Sequence, residues 1–215
     1  MMQFTDADRA RIAQAVQQAE RATKGEIVPM IVPASAFYRE AGYRTGLILA
    51  FLVVASLLTV DLYWLPWGWH AGNAAWFLLA AMAAYGVGRW LGTIPAVIRL
   101  VTSRERFAHK VKLRAEQAFY RHGLHATKGR TGILILISLL ERRVHVLADK
   151  GINDLVLPGT WDGLVSGILD GIRAGKQTEA ICEAITKCGA LLAQVSPAGS
   201  GENPDELPDE LIQEP

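Results

Sequence analysis

Two uncharged apolar runs constrain this 215-residue chain more than anything else in it: TGLILAFLVVASLLTV over residues 45–60 and NAAWFLLAAMAAYGVG over residues 73–88. Each run has sixteen residues, against the roughly 20 apolar residues that span a bilayer core. The flanks supply the rest. Leu62, Tyr63, Trp64 and Leu65 extend the first run; Trp90, Leu91 and Ile94 extend the second, and Arg89 can snorkel toward headgroups. Tyr63, Trp64, Trp67, Trp69 and Trp76 crowd the connection. Such rings favour the membrane interface, where an apolar body and a polar tip both find a partner. Pro66, Gly68 and Gly72 turn the chain there. The pattern predicts a two-helix transmembrane hairpin over residues 45–93. A cleaved leader does not fit a first apolar run that begins this far in. A buried soluble hairpin and a re-entrant or interfacial one are the competing readings.

Basic residues orient the hairpin. Arg39 and Arg44 precede the first run; Arg89, Arg99, Arg104, Arg106 and Lys110 follow the second, and the connection has neither Lys nor Arg. The positive-inside rule then places both termini in the cytoplasm and the aromatic loop outside, as in a multi-pass protein of a bacterial inner membrane. Asp61 reads as an interfacial residue, since acids weigh little in that rule.

The net charge of +1 conceals a segregation of charge. Residues 99–130 hold nine Lys/Arg against Glu105 and Glu116, whereas residues 198–215 hold six acids and no base. Arg99, Arg104, Arg106, Lys110, Lys112 and Arg114 form the candidate membrane-surface set. Each basic group near anionic headgroups is worth roughly 1 kcal/mol; the alternative is a solvated face. Nucleic acid is not expected as a partner, because no stacking aromatics or binding motif accompany the charge. Residues 197–215, with Pro204, Pro208 and Pro215, read as a disordered acidic tail. Cys182 and Cys188, six apart on one expected helix, would have Cα atoms roughly 9 Å apart, too far for an unstrained disulfide.

Thr5 and Asp8 have the spacing of a capping box, and Ile12, Val16 and Ala19 the stripe of the helix behind it. EIVPMIV at residues 26–32 reads as a strand whose Pro29 points to an edge or a bulge. Residues 95–103 read as a basic exit from the membrane. A helix follows, with Phe107, Val111, Ala115, Ala118 and Phe119 on one face and Gly123 as its stop. GILILIS at 132–138 has the continuous apolar character of a central strand. RVHVLA at 143–148 follows a turn at Glu141-Arg142 and should pair antiparallel with it. A polar loop over 149–154 and two helices, one through Trp161 to Ile172 and one through Ala180 to Leu192, complete the chain. Residues 4–35 are too few to bury a core alone and are expected to join the sheet of residues 132–148. The expected organisation is therefore one cytoplasmic α/β domain in two parts, 4–35 and 103–194, interrupted by the hairpin.

Residues 115–120 (AEQAFY), His122-Gly123-Leu124, residues 128–135 (KGRTGILI), Glu141-Arg142-Arg143-Val144, residues 148–152 (ADKGI) and residues 171–176 (GIRAGK) together resemble the TPM-domain family. That family is named from a thylakoid lumen protein, a photosystem II repair protein and a receptor-associated worm protein. The resemblance spans about residues 4–35 and 104–193. It implies an α/β/α sandwich with a Rossmann-like look. Some members are described as acid phosphatases, some bind a divalent cation through clustered acids, and others act as accessory or assembly factors, and the resemblance implies a role among these. The chain departs from the pattern in its inserted hairpin, in Ala148-Asp149-Lys150-Gly151 where many members carry Gly-aromatic-Gly, and in Glu141 where Asp is common.

No nucleotide loop, zinc motif or catalytic triad is present, and no catalytic residue is assigned. Residues 129–132 (GRTG) lack the Lys-Ser/Thr of a phosphate loop. His122 and His125 straddle Gly123 and read as helix-end residues. The best polar constellation is Glu26, Asp149 and Asp154, whose carboxylates could hold Ca²⁺ or Mg²⁺. The alternative is that the loop acids cap a helix or pair with Lys150 and Arg142. The functional expectation is a membrane-tethered accessory or protein-interaction module at the cytoplasmic face, with the bilayer and a membrane protein as partners. The alternative is a metal-dependent membrane-bound phosphatase.

Overall fold

GILILIS forms β2 (Gly132–Ser138), and every one of its residues is buried. A strand with no exposed face needs helices above and below it and strands on both sides. β1 (Glu26–Val32) pairs parallel along its full length, Glu26 opposite Gly132 and Val32 opposite Ser138. β3 (Arg143–Ala148) pairs antiparallel, with Ser138 opposite Arg143 and Ile133 opposite Ala148. A two-residue strand, β4 (Ile212–Gln213), adds in parallel beyond β1, so the order is β3-β2-β1-β4. The computed structural model describes residues 4–64, 71–127, 129–157, 159–197, 207 and 209–214. Pro66, Trp67, Gly68, Trp69 and His70 lie outside these residues, as do the side chains of Asp61, Tyr63, Trp64 and Gly72.

The period of two along the strands sorts their side chains onto two cores. Ile27, Ile31, Ile133, Ile135, Ile137, Val144 and Val146 pack with α1 (Asp6–Glu20), α7 (Thr160–Arg173) and α8 (Gln177–Val195). Val28, Met30, Val32, Leu134 and Leu136 pack on the opposite face with Val111, Ala115, Ala118 and Phe119 of α5 (Arg104–Arg121). The result is an α/β/α sandwich. Each Ile or Leu buried this fully contributes roughly 1.5–3 kcal/mol, which is why the sheet centre dominates the fold.

Local chemistry sets the ends. The Thr5 hydroxyl accepts from the Asp8 amide at 3.2 Å while the Asp8 carboxylate accepts from the Thr5 amide at 3.0 Å, completing the capping box of α1. The Thr178 hydroxyl, in the first turn of α8, donates to the same Asp8 carboxylate at 3.0 Å.

Pro29 finds its place through the backbone. The amide of Glu26 and the carbonyl of Val32 bond toward the β2 side, to the Thr131 carbonyl and the Leu139 amide. The alternate residues Ile27 and Ile31 bond away from β2: the Ile27 amide donates to Glu20 Oε1 at 2.7 Å, and the Ile31 carbonyl accepts from the Glu214 amide at 3.3 Å. Pro29 shares that outer side, where β4 reaches only Met30 and Ile31. Its missing N–H therefore costs the sheet no ladder bond.

The chain divides into two compact units, residues 1–36 with 108–215 and residues 37–107. In the second unit, α2 (Arg39–Trp64) has 26 residues and α3 (Ala71–Leu91) has 21. Their segments Arg39–Val60 and Ala74–Leu91 are long and apolar enough to cross a membrane, and only 6% of each apolar window is buried. Gly42 and Gly46 face Gly88 and Gly92 where the helices approach: a Cβ on Gly88 would stand 2.7 Å from the Thr45 carbonyl oxygen and 2.8 Å from Gly46 Cα. Small residues at such a crossing let backbones meet. The Arg89 guanidinium lies over the Tyr43 ring, 4.6 Å from its centroid. Tyr38 and Phe107 meet edge to face at 5.2 Å.

Three sequence expectations change. The basic exit begins as the helix α4 (Pro95–Val101), with proline in its first turn, where a missing N–H breaks no helical bond. The polar loop after β3 contains a one-turn helix, α6 (Lys150–Asn153). The expected disordered tail does not extend through residues 209–214: Leu211 is buried in the α1/α7/α8 core, and Ile212 packs on the α5 side. Two adjacent aliphatics in an acidic stretch can each bury on one face of a sheet, which average composition hides.

Candidate functional site

Polar side chains gather at both ends of the sheet and along its β1 edge. At the first end, where β1 and β2 begin and β3 finishes, Glu26 and Asp149 flank Gly132. The Glu26 amide donates to the Thr131 carbonyl at 3.2 Å, and the Asp149 amide to the Gly132 carbonyl at 2.9 Å. Both carboxylates are buried. Asp149 Oδ1 accepts from the Lys150 amide at 2.6 Å and so caps α6; its Oδ2 is buried and has no hydrogen-bond partner among the described residues. Gly151 lets α6 close on the preceding loop, since a Cβ there would stand 2.6 Å from the Arg130 carbonyl oxygen.

The proposed cation set of Glu26, Asp149 and Asp154 does not assemble. Asp154 is the exposed C-cap residue of α6, and Asp149 gives one oxygen to the helix cap. Among the described residues no group of three or more His, Cys, Asp and Glu could hold a metal ion. Ca²⁺ and Mg²⁺ complete their shells with waters and carbonyl oxygens, so what the geometry removes is the three-acid grouping of these residues. The end of the sheet also argues against a cation site. Ligand sites of open sheets favour the carboxyl ends of parallel strands, and these acids stand at the amino ends of β1 and β2.

The carboxyl ends hold a network that sequence reasoning missed. The Ser35 hydroxyl donates to Ser138 Oγ at 2.8 Å, Ser138 Oγ donates to Glu141 Oε2, and the Ser35 amide donates to Glu141 Oε1 at 2.8 Å. Ser138 and Glu141 are 1% and 6% exposed. The network ties the chain leaving β1 to the β2–β3 turn, whose Arg142 has a φ of 51°. Both hydroxyls are engaged within the network, and Ser138 and Glu141 are almost closed to solvent. The signal available was Ser138, the one polar residue closing an apolar strand, three residues before Glu141. Cys188 is equally unsuited to nucleophilic work: it is fully buried, and burial pushes its thiol up to about 12.

Along the β1 edge, Glu20 occupies the place of a strand partner at Ile27. Burial pushes its carboxyl up to about 9, and Glu26 and Asp209 push in the same direction. Further along the edge, Glu214 meets three cationic or titratable groups. Arg114 pairs with its Oε2, Arg121 with Oε1 at 3.1 Å, and His122 Nε2 lies 3.4 Å from Oε1. Arg9 donates to the Gln213 side chain at 3.1 Å. His125 turns away to pack on the Tyr120 ring at 5.0 Å, so the two histidines are not a metal pair.

The candidate membrane-surface set is divided by these contacts. Arg106 pairs with Glu40 at 2.8 Å, Lys112 lies 3.9 Å from Glu116, and Arg114 is taken by Glu214. Arg104 and Lys112 are exposed, and Arg99 and Lys110 are half-buried.

The family model of the TPM domain matches residues 95–191 of this chain. No curated protein matches it. Among solved structures, the NMR structure of the BA42 protein from the psychrophilic bacterium Bizionia argentinensis is similar, with a TM-score of 0.60 and 19% identity. The similarity covers 99% of this chain and 97% of that one, and at this identity it speaks to the fold alone.

Proposed function

We propose that this chain, whose residues 95–191 match the TPM-domain model, is anchored in a membrane by its helical hairpin and serves there as a protein-docking module at the cytoplasmic face. The observation that carries the reading is the outer surface of α2 and α3. Leu47, Phe51, Leu52, Trp76, Leu78, Met82 and Trp90 are between 56% and 72% exposed. Water would not tolerate so continuous an apolar surface, and a bilayer would. At ~1.5 Å per residue the two helices run to roughly 39 and 32 Å, enough for a hydrocarbon core of about 30 Å. The sixteen-residue apolar runs are thus the middles of longer helices.

The docking part of the reading rests on what the sandwich offers. Asp149 caps α6, and Ser138 and Glu141 hold a turn, whereas the β1 edge takes in a strand of only two residues and carries a cluster of cations. Labelling tests the anchor: a Cys placed at Gly68 should react with a membrane-impermeant reagent added outside intact cells, and one at Gly201 should not. Incubation with phosphomonoesters, with and without divalent cations, tests the docking role against hydrolysis. Turnover that disappears in Asp149→Asn would replace the docking reading with the hydrolase.

A further inference from the structure

We propose that the outer edge of β1 is a strand-addition site for an extended, carboxylate-bearing segment of a partner protein, and that residues 209–214 of this chain are its tethered competitor. The proposal deepens the docking reading and rests on it. The site reads its occupant in three ways. The backbone is read by β1, where Met30 and Ile31 pair with Ile212 and Gln213 and the Ile31 carbonyl accepts from the Glu214 amide. Adjacent aliphatic side chains are read on the two faces of the sheet, Leu211 in one core and Ile212 against the other. The acid is read by Arg114, Arg121 and His122, which converge on Glu214. Strand addition to an open edge commonly combines main-chain pairing with alternating side-chain pockets in this manner.

The resident strand is built to be exchangeable. It has two residues, against the five or six of an ordinary strand. Residues 198–206, AGSGENPDE, join it to the end of α8 in a composition poor in apolar groups. A covalent link this short in sequence gives the strand a high effective concentration at the edge, so even weak pairing keeps the edge filled until a better competitor arrives. Charge complementarity sets what that competitor is. The cations Arg114 and Arg121 stand beside the edge, so the segment that fits is two large aliphatics followed, two residues on, by Asp or Glu.

The test uses the full-length protein in detergent with a protease site inserted between Gly201 and Glu202, and a fluorescent peptide of residues 207–215. Before cleavage the peptide should bind weakly or not at all; after cleavage and removal of the released segment it should bind, with an affinity at least tenfold higher. A Glu214→Ala peptide should lose at least tenfold, and Arg114→Ala in the protein should abolish the difference between the two peptides. Equal binding before and after cleavage overturns the tether as competitor. An unaltered affinity of the Glu214→Ala peptide overturns the acid-reading cluster. No binding to a cleaved protein whose circular dichroism is unchanged overturns the site. A dimer that forms with the full chain and dissolves on cleavage makes a second copy the occupant and overturns the assignment to a different partner. None of these results bears on the labelling or phosphomonoester experiments, which judge the underlying reading separately.

Discussion

The Ile27 amide donates to Glu20 Oε1 across 2.7 Å, so a side chain from the end of α1 closes the stretch of β1 edge that β4 does not reach. The bond draws the carboxyl partly out of water, where Glu26 and Asp209 add negative charge, and the Glu20 carboxyl rises from 4.5 to about 9. The folded protein therefore keeps a proton that the unfolded chain releases near pH 4.5. Stability from this group is complete below pH 4.5 and is lost as pH rises toward 9. Urea titration of the detergent-solubilised protein should give a midpoint that falls between pH 6 and pH 9.5. In Glu20→Gln the amide oxygen still accepts from Ile27 while the titration is gone, so the fall should be smaller. An equal fall in both proteins would mean that Glu20 is not the group responsible.

Thr5 and Asp8 close the start of α1, and Asp8 also receives the Thr178 hydroxyl from α8. Thr5→Ala removes the side chain that accepts from the Asp8 amide. It should cost about 1 kcal/mol, the usual worth of such a cap. Asp8→Ala removes the partner of both Thr5 and Thr178 and should cost more. Denaturant midpoints at fixed pH decide the order; a larger loss in Thr5→Ala would show that the link to α8 adds nothing.

At the centre of the sheet, Ile135 is fully buried between Pro29 and Val146 on its neighbouring strands. Ile135→Ala should cost about 2–5 kcal/mol through lost contacts and the cavity left behind. The exposed Leu157→Ala, at a residue 80% accessible, should change stability by less than about 0.5 kcal/mol. Comparable losses at the two positions would contradict the placement of the core.

How much of this was legible in the chain depended on how local the cause was. The capping box, the fully buried β2 and its antiparallel partner follow from residues close together in sequence, and the periodicities of α1, α5 and α8 name the residues that face the sheet. Pro29 signalled an edge or a bulge, but β4 makes β1 an inner strand by order, and Pro29 lies on the side that β4 reaches only at Met30 and Ile31. The site was less legible because it depends on distant residues. Glu20 reaches Ile27 only once α1 folds back, Ser35 reaches Glu141 across 106 positions, and Glu214 reaches Arg114 across 100. Asp149 and Asp154 are near neighbours in sequence, yet the single turn of α6 between them makes one a buried cap and leaves the other exposed.

The hairpin offers a comparison within one helix. Gly86 and Gly88 are both in α3 and differ only in what they meet. A Cβ at Gly88 would stand 2.7 Å from the Thr45 carbonyl oxygen and 2.8 Å from Gly46 Cα, both backbone atoms that cannot rotate aside. A Cβ at Gly86 would meet nothing within 4 Å. Alanine also raises intrinsic helix propensity by about 1 kcal/mol at either position, so Gly86→Ala should be neutral or stabilising. Gly88→Ala must push α2 and α3 apart and should weaken their association despite the same propensity gain. Oxidative cross-linking between a Cys at Tyr43 and one at Arg89, whose side chains meet with the guanidinium 4.6 Å from the ring centroid, reports that association when read by gel mobility after a sequence-specific protease cuts at a site inserted at Gly68. The yield should hold in the Gly86→Ala background and drop severalfold in Gly88→Ala. Equal yields in the two backgrounds would remove the glycine contact as the reason the helices pair where they do.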